Sequence, residues 1–97
     1  MFAVIFKATI NELDGEYYDA ASRLRELALT EYGCTEFSSY TQGSEAVAIS
    51  YWPSKVHIQA WKGLAEHRRV QELGKTRWYR SYHVQVVEIL TDYSNQD

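Results

Sequence analysis

Three residues of this chain have the types and spacing for chemistry at one place: His57, Trp61 and His67. On a helix, His57 and Trp61 share a face, being one turn apart. An imidazole titrates near neutral pH and can accept a proton there. An indole offers a flat apolar wall and one N–H donor. Every Trp and every His of the chain lies within Ser50–Val84, so any chemistry centres on that stretch. Each residue also has a plainer explanation. A Trp on an amphipathic helix packs a core. His67 stands among Glu66, Arg68 and Arg69, the setting of a solvated face, and His83 falls on a strand, where cross-strand packing would use it. The spacing of the histidines matches no compact zinc pattern. Cys34 is alone, which excludes an intrachain disulfide and argues against a structural zinc site.

The elements that must position these side chains read as β-α-β-β-α-β. Phe2–Ile10 alternates as a strand, with Phe2, Val4, Phe6, Ala8 and Ile10 on one face and Ala3, Ile5, Lys7 and Thr9 on the other. Asn11 or Asp14 would cap a helix over residues 16–32, whose stripe is Tyr17, Ala20, Ala21, Leu24, Leu27 and Ala28. Gly33 ends it, and Cys34 packs behind as a small apolar residue. Cys34–Thr41 and Ala46–Trp52 form a hairpin about Gln42–Glu45. Ser54 caps a short helix carrying Val56, Ile58, Ala60 and Trp61. Gly63 interrupts it, and a second helix runs from about Leu64 to Gly74 and on toward Trp78. Tyr82–Leu90 is the last strand. Residues 1–91 make one domain and 92–97 a polar tail with nothing to bury.

This order predicts an α+β, ferredoxin-like fold: an antiparallel four-stranded sheet with helices on one face. Both faces of Ala46–Trp52 and Tyr82–Leu90 carry apolar residues, so the face without helices calls for a partner, and two such sheets would pack as a homodimer.

Composition narrows the function. A chain of 97 residues holds a single core. Its net charge of −3 argues against nucleic acid, and the basic cluster from His67 to Arg77 is interleaved with Glu66 and Glu72. No apolar run is long enough to span a membrane, and Phe2–Phe6 lacks the features of a signal peptide, so the expected location is cytoplasmic. The glycines are scattered, and without a phosphate-cradling loop no flavin or nicotinamide cofactor is expected. Eight Tyr and three Trp against three Phe is a composition suited to pockets and interfaces.

Nearly the whole chain resembles the antibiotic biosynthesis monooxygenase family of dimeric α/β-barrel proteins. The resemblance rests on Ala3-Val4-Ile5-Phe6, on Ser50-Tyr51-Trp52 followed by Trp61, on Glu66-His67 with Gln71 and Gly74, and on Trp78-Tyr79 with Tyr82 before Val84–Glu88. It implies a homodimer with one pocket per subunit between sheet and helices. It also implies cofactor-independent oxidation of an aromatic polyphenol, anthrone or quinol by O2. The other activity class it contains is a non-catalytic dimeric protein binding a hydrophobic ligand, haem or a small aromatic. Haem-degrading members carry an Asn on the first strand and a His ten residues after the helix Trp; Lys7 and Gln71 stand in those places here. Cofactor-free members place a polar aromatic six residues after the Trp, the spacing of Trp61 and His67.

Such oxygenation needs a flat apolar slot, a proton acceptor and donors for a developing oxyanion. The resemblance therefore implies His67, Trp61 and His57 as the catalytic set. It implies Trp61, Ile5, Lys7, Gln71, Trp78 and Arg80 as substrate-binding residues, with Arg77 or Arg80 offsetting anionic charge. With His67 unperturbed, activity would rise through a pKa of about 6–7.

Overall fold

The computed structural model of the chain describes residues 1–95. The strands are β1 (Phe2–Ile10), β2 (Glu36–Gln42), β3 (Glu45–Trp52) and β4 (Tyr79–Glu88), and the helices are α1 (Gly15–Glu31), α2 (Lys55–Lys62) and α3 (Ala65–Leu73). A π-helical turn, Gly74–Trp78, carries α3 into β4. The sheet order is β2-β3-β1-β4 with every neighbouring pair antiparallel, which is the ferredoxin-like arrangement the sequence predicts.

Register fixes the two faces, because side chains alternate along each strand. Phe6 of β1 lies opposite Ala48 of β3 and Val84 of β4. Val4, Phe6 and Ala8 therefore share the helix side with Ala46, Ala48, Ser50 and Trp52. Ala3, Ile5 and Lys7 share the opposite face with Val47, Ile49, Tyr51, His83, Gln85 and Val87. No helix of the chain covers that second face, since Ile5, Val47, Ile49, Tyr51 and Val87 are only partly buried. The core on the helix side gathers Val4, Leu24, Ala28, Cys34, Trp52, Ile58 and Trp61.

Asp14 is the cap of α1: its Oδ1 accepts the Tyr17 N–H at 2.9 Å. The same carboxylate accepts the Trp78 indole N–H at 3.2 Å and pairs with Arg77, so it ties the start of α1 to the π turn. The bond from Tyr17 first, and then Arg77, holds its carboxyl below the usual carboxylate range. Asn11, the other candidate cap, instead donates to the Arg77 carbonyl. At the far end Gly33 adopts φ +81°, the left-handed conformation that stops a helix without a Cβ penalty. A Cβ there would also lie 2.6 Å from a His57 ring carbon, so the site demands glycine twice over.

Three expected boundaries shift, each for a pairing reason. β4 begins at Tyr79, not Tyr82, because Ile10 of β1 reaches Tyr79 across a bulge at Arg80. It ends at Glu88, not Leu90, because Glu88 faces Phe2, the first residue of β1, and past that pair only the Ile89 N–H finds a partner, the Met1 carbonyl at 3.0 Å. β2 begins at Glu36 because Cys34 turns into the core. Ser54 does precede α2 with extended backbone, but its hydroxyl lies 2.6 Å from His57 Nδ1 rather than bonding a helix N–H. Residues 89–95 carry no secondary structure, the described part of the expected polar tail (92–97) included, and Leu90 and Tyr93 stand exposed. Its last two residues, 96 and 97, lie outside the described residues. Among the described residues no helix is long and apolar enough to cross a membrane.

Candidate active site

The helices do not close fully on the sheet. On the helix side β3 presents Ala46, Ala48 and Ser50, and β2 presents Ser39 and Thr41. These short side chains leave room beneath α1, and a cavity of about 730 Å³ occupies it. That volume falls within the range of small-molecule sites. Its walls include Val4, Phe6, Leu24, Val70 and Val84, an apolar lining broken by a few polar groups.

One end of the cavity is aromatic. Phe6 lies 5.4 Å from Tyr79 and 5.9 Å from Tyr82, and Tyr17 approaches Tyr79 edge-on at 6.1 Å, all between ring centroids. Burial first, and the neighbouring Tyr17 phenol second, push the Tyr79 hydroxyl well above the ordinary tyrosine range. Tyr79 thus stays protonated and able to donate a hydrogen bond.

The other end is built on Trp61. Its ring packs 5.2 Å from Trp52 and 6.1 Å from Phe37. The residue is both a core member and a cavity wall, so the two readings of its sequence position are compatible. Its indole N–H donates to the Leu24 carbonyl at 3.1 Å, which ties α2 to α1. That donor is therefore spent within the fold and is not offered to a ligand.

His67 stands edge-on against Trp61, ring centroids 4.4 Å apart, and lines the cavity. It leaves the charged face of α3 that Glu66, Arg68 and Arg69 occupy, because the six-residue step from Trp61 spans the break at Gly63 and turns the ring inward. Its Nδ1 is buried without a hydrogen-bond partner. Burial first, and Lys62 second, lower its pKa to about 4, so the ring is neutral at physiological pH. A neutral imidazole has one donor and one acceptor nitrogen, and this ring forms part of the cavity wall, although its buried Nδ1 presents no surface to a ligand.

Of the residues expected at the site, the structure brings Trp61, His67 and Gln71 to the cavity. The others stand elsewhere. Ile5 and Lys7 lie on the opposite face of the sheet, since alternation gives the cavity their neighbours Val4 and Phe6. Trp78 is fully buried with its indole on Asp14. Arg80 sits exposed at the β4 bulge, and Arg77 pairs with Asp14 and Glu16. His57 shares a helix with Trp61 but points to Ser54 and the Gly33 backbone, outside the cavity. His83 is on the helix-free face opposite Lys7. Cys34 is buried, its thiol donating to the Glu36 carbonyl at 3.2 Å, and burial pushes its pKa up, which leaves the thiol unreactive.

The reading of the sequence did not name Phe6, Tyr17, Arg25, Lys62, Tyr79 or Tyr82 as site residues, yet all of them line the cavity. The surplus of tyrosine was the available signal for the aromatic end. Nothing in a single sequence marks Arg25 and Lys62 among the other surface cations.

No family model matches the chain. Over 89 residues it is 33% identical to the uncharacterized protein YqjZ of Bacillus subtilis (strain 168), a match covering 91% of this chain and 78% of that protein. The chain belongs to the family of YqjZ. Among solved structures, a variant of SnoaB, a cofactor-independent oxygenase from Streptomyces nogalater, is similar with a TM-score of 0.79 at 8% identity, covering 97% of each chain. Rv0793 from Mycobacterium tuberculosis is similar at 0.70 and 22% identity, covering 96% of this chain and 98% of that one. A structure of an antibiotic biosynthesis monooxygenase gives 0.73 at 16% identity, over 94% of this chain and all of the other. The fold is thus the one those monooxygenase structures share, as the sequence resemblance implied.

Proposed function

We propose that the chain is a small cofactor-independent monooxygenase that oxidises an electron-rich aromatic, a polyphenol, anthrone or quinol, with O2. The observation that carries this reading is His67: a neutral imidazole held edge-on against Trp61 in the wall of an otherwise largely apolar cavity. In this reading the aromatic substrate lies along the cavity. His67 takes the acidic phenolic or benzylic proton, and Tyr79 donates a hydrogen bond to the oxyanion that develops. The substrate anion then gives an electron to O2. Recombination of the radical pair forms a C–O bond to the distal-protonated peroxide, and loss of water leaves a carbonyl. For an anthrone the balance is CH2 plus O2 giving C=O plus H2O, with the substrate as the only reductant.

Oxygen uptake with a panel of naphthols, anthrones and quinols tests it. Consumption that depends on the protein and on the substrate, with the oxygenated product formed, supports the reading; none across the panel defeats it.

A second reading is a non-catalytic binding protein for a hydrophobic ligand. What favours it is the low basicity of His67, which suits a wall better than a base. A haem titration followed by its absorption spectrum separates the two, since His67 is the sole imidazole lining this cavity.

A further inference from the structure

The cavity wall has a charge bias that the chain as a whole does not. The protein carries 13 acidic residues against 10 basic ones. Yet the lining contains Arg25 and Lys62 and no Asp or Glu. Neither of these cations is paired with a carboxylate among the described residues, whereas Arg23, Arg69 and Arg77 nearby all are. The two are also carried by elements that are joined, α1 and α2. Arg25 follows Leu24 and Lys62 follows Trp61, and Leu24 and Trp61 are joined by the indole-to-carbonyl hydrogen bond of 3.1 Å. Arg25 reaches toward the Phe37 carbonyl, 3.5 Å away, beside the ring that faces Trp61. Lys62 is close enough to His67 to disfavour its protonation. Phe6, Tyr17, Tyr79 and Tyr82 cluster at the aromatic end.

We propose that the ligand of this cavity is a planar aromatic bearing a carboxylate, its rings at the tyrosine end and its anionic group at Arg25 and Lys62. Two unpaired cations beside an apolar slot, Arg25 exposed and Lys62 half-buried, with no carboxylate to compete, favour an anion there, and a charge-assisted contact is stronger than a neutral one. The arrangement also serves the acid–base group. An anion seated beside Lys62 offsets the positive charge that Lys62 presents to His67, so the ring becomes a better proton acceptor when the ligand is in place. This inference rests on the cavity being the ligand site of the proposed oxygenase. It concerns what binds, not whether turnover follows.

Two planar probes that differ by one carboxylate, 2-naphthol and 6-hydroxy-2-naphthoate, test it by calorimetric titration of the full chain. The expected result is that the naphthoate binds about tenfold more tightly at low salt, and that the gap narrows as salt shortens the screening length. Arg25→Gln and Lys62→Gln should each shrink the gap severalfold, and the double variant should close it, the naphthoate binding no more tightly than 2-naphthol. Equal affinities, no binding of either probe, or a gap that persists in the double variant overturns the proposal. Should the double variant not fold, as judged by its circular dichroism, the salt series on the parent decides: a gap that does not narrow overturns the proposal. Oxygen uptake with 2-naphthol is scored separately, so a failed oxygenase with intact carboxylate preference is told apart from a failed preference.

Discussion

A Cβ placed on Gly74 would lie 3.1 Å from two carbons of the Tyr79 ring. Gly74 is buried at the start of the π-helical turn, and Tyr79 is the first residue of β4. Gly74 has ordinary helical φ and ψ, so what it supplies is space and not an unusual backbone conformation. The missing side chain lets the Tyr79 ring lie flat at the aromatic end of the cavity. Gly74→Ala should drive that ring inward by a few tenths of an ångström, since Phe6 and Tyr17 hold its other sides. The expected outcome is a naphthol affinity lowered about tenfold, the scale of one methylene in an apolar pocket, with a melting temperature lower by a few degrees. Parent-like affinity would show that the ligand does not reach Tyr79.

Trp61 holds α1 and α2 together as well as walling the cavity. Trp61→Ala removes a ring packed on Trp52, Phe37 and His67 and should cost roughly 3–5 kcal/mol in urea unfolding. Trp61→Phe keeps most of the packing and gives up the indole bond to the Leu24 carbonyl, which keeps its partner in the α1 ladder, so it should cost about 0.5–1.5 kcal/mol. If the two variants unfold at the same urea concentration, packing is not what Trp61 contributes.

The strand and helix order was legible because the alternation of Phe2–Ile10 and the glycine at 33 are local signals. The faces of β1 were legible too, but not which face the helices choose: Ile5 and Val4 are equally apolar, and only the register with Ala46, Ala48 and Ser50 gives the cavity Val4 and Phe6. His67 was legible as a candidate through its spacing from Trp61. Its inward turn was not, because the break at Gly63 resets the helical phase between them. His57 shows the opposite case. Helical spacing puts it near Trp61 in sequence, but its Nδ1 is drawn to Ser54 and its ring to Gly33. Arg77 and Trp78, both read as site residues, are instead engaged by Asp14, a long-range partnership that no local pattern reveals.

The helix-free face of the sheet should be a dimer interface. Ile5, Val47, Ile49, Tyr51 and Val87 form a continuous apolar surface there, with Lys7 and His83 toward one end. Covering it with a second copy would bury on the order of 2,000 Å² or more in total, the scale of a permanent interface. Sedimentation at micromolar concentration is expected to give twice the 11.3 kDa mass of the chain, and Ile5→Asp with Ile49→Asp is expected to shift it to monomer. A parent that sediments as a monomer leaves this face without a second copy.

His67 links stability, pH and the proposed reaction. An unfolded chain has an ordinary imidazole near 6.5, whereas burial holds the folded one at about 4. Between those values the unfolded state binds more protons, so stability falls as pH drops from about 6.5 toward 4 and is fully present above that window. His67→Gln has no such proton to bind, and its unfolding free energy should lose that part of the pH dependence. The same burial changes the expected rate profile. If the base titrated at its ordinary value, kcat/KM would rise through pH 6–7; the buried ring instead places that rise for the free protein near pH 4. At neutral pH the ring is already the acceptor form, and what limits it is modest basicity, so His67→Ala should lower turnover about 10²-fold, toward the low end of general-base effects. His67→Ala with unchanged oxygen uptake would remove His67 from the reaction. A rise through pH 6–7 that survives in His67→Ala would assign it to a group other than His67, the substrate's own phenol among them.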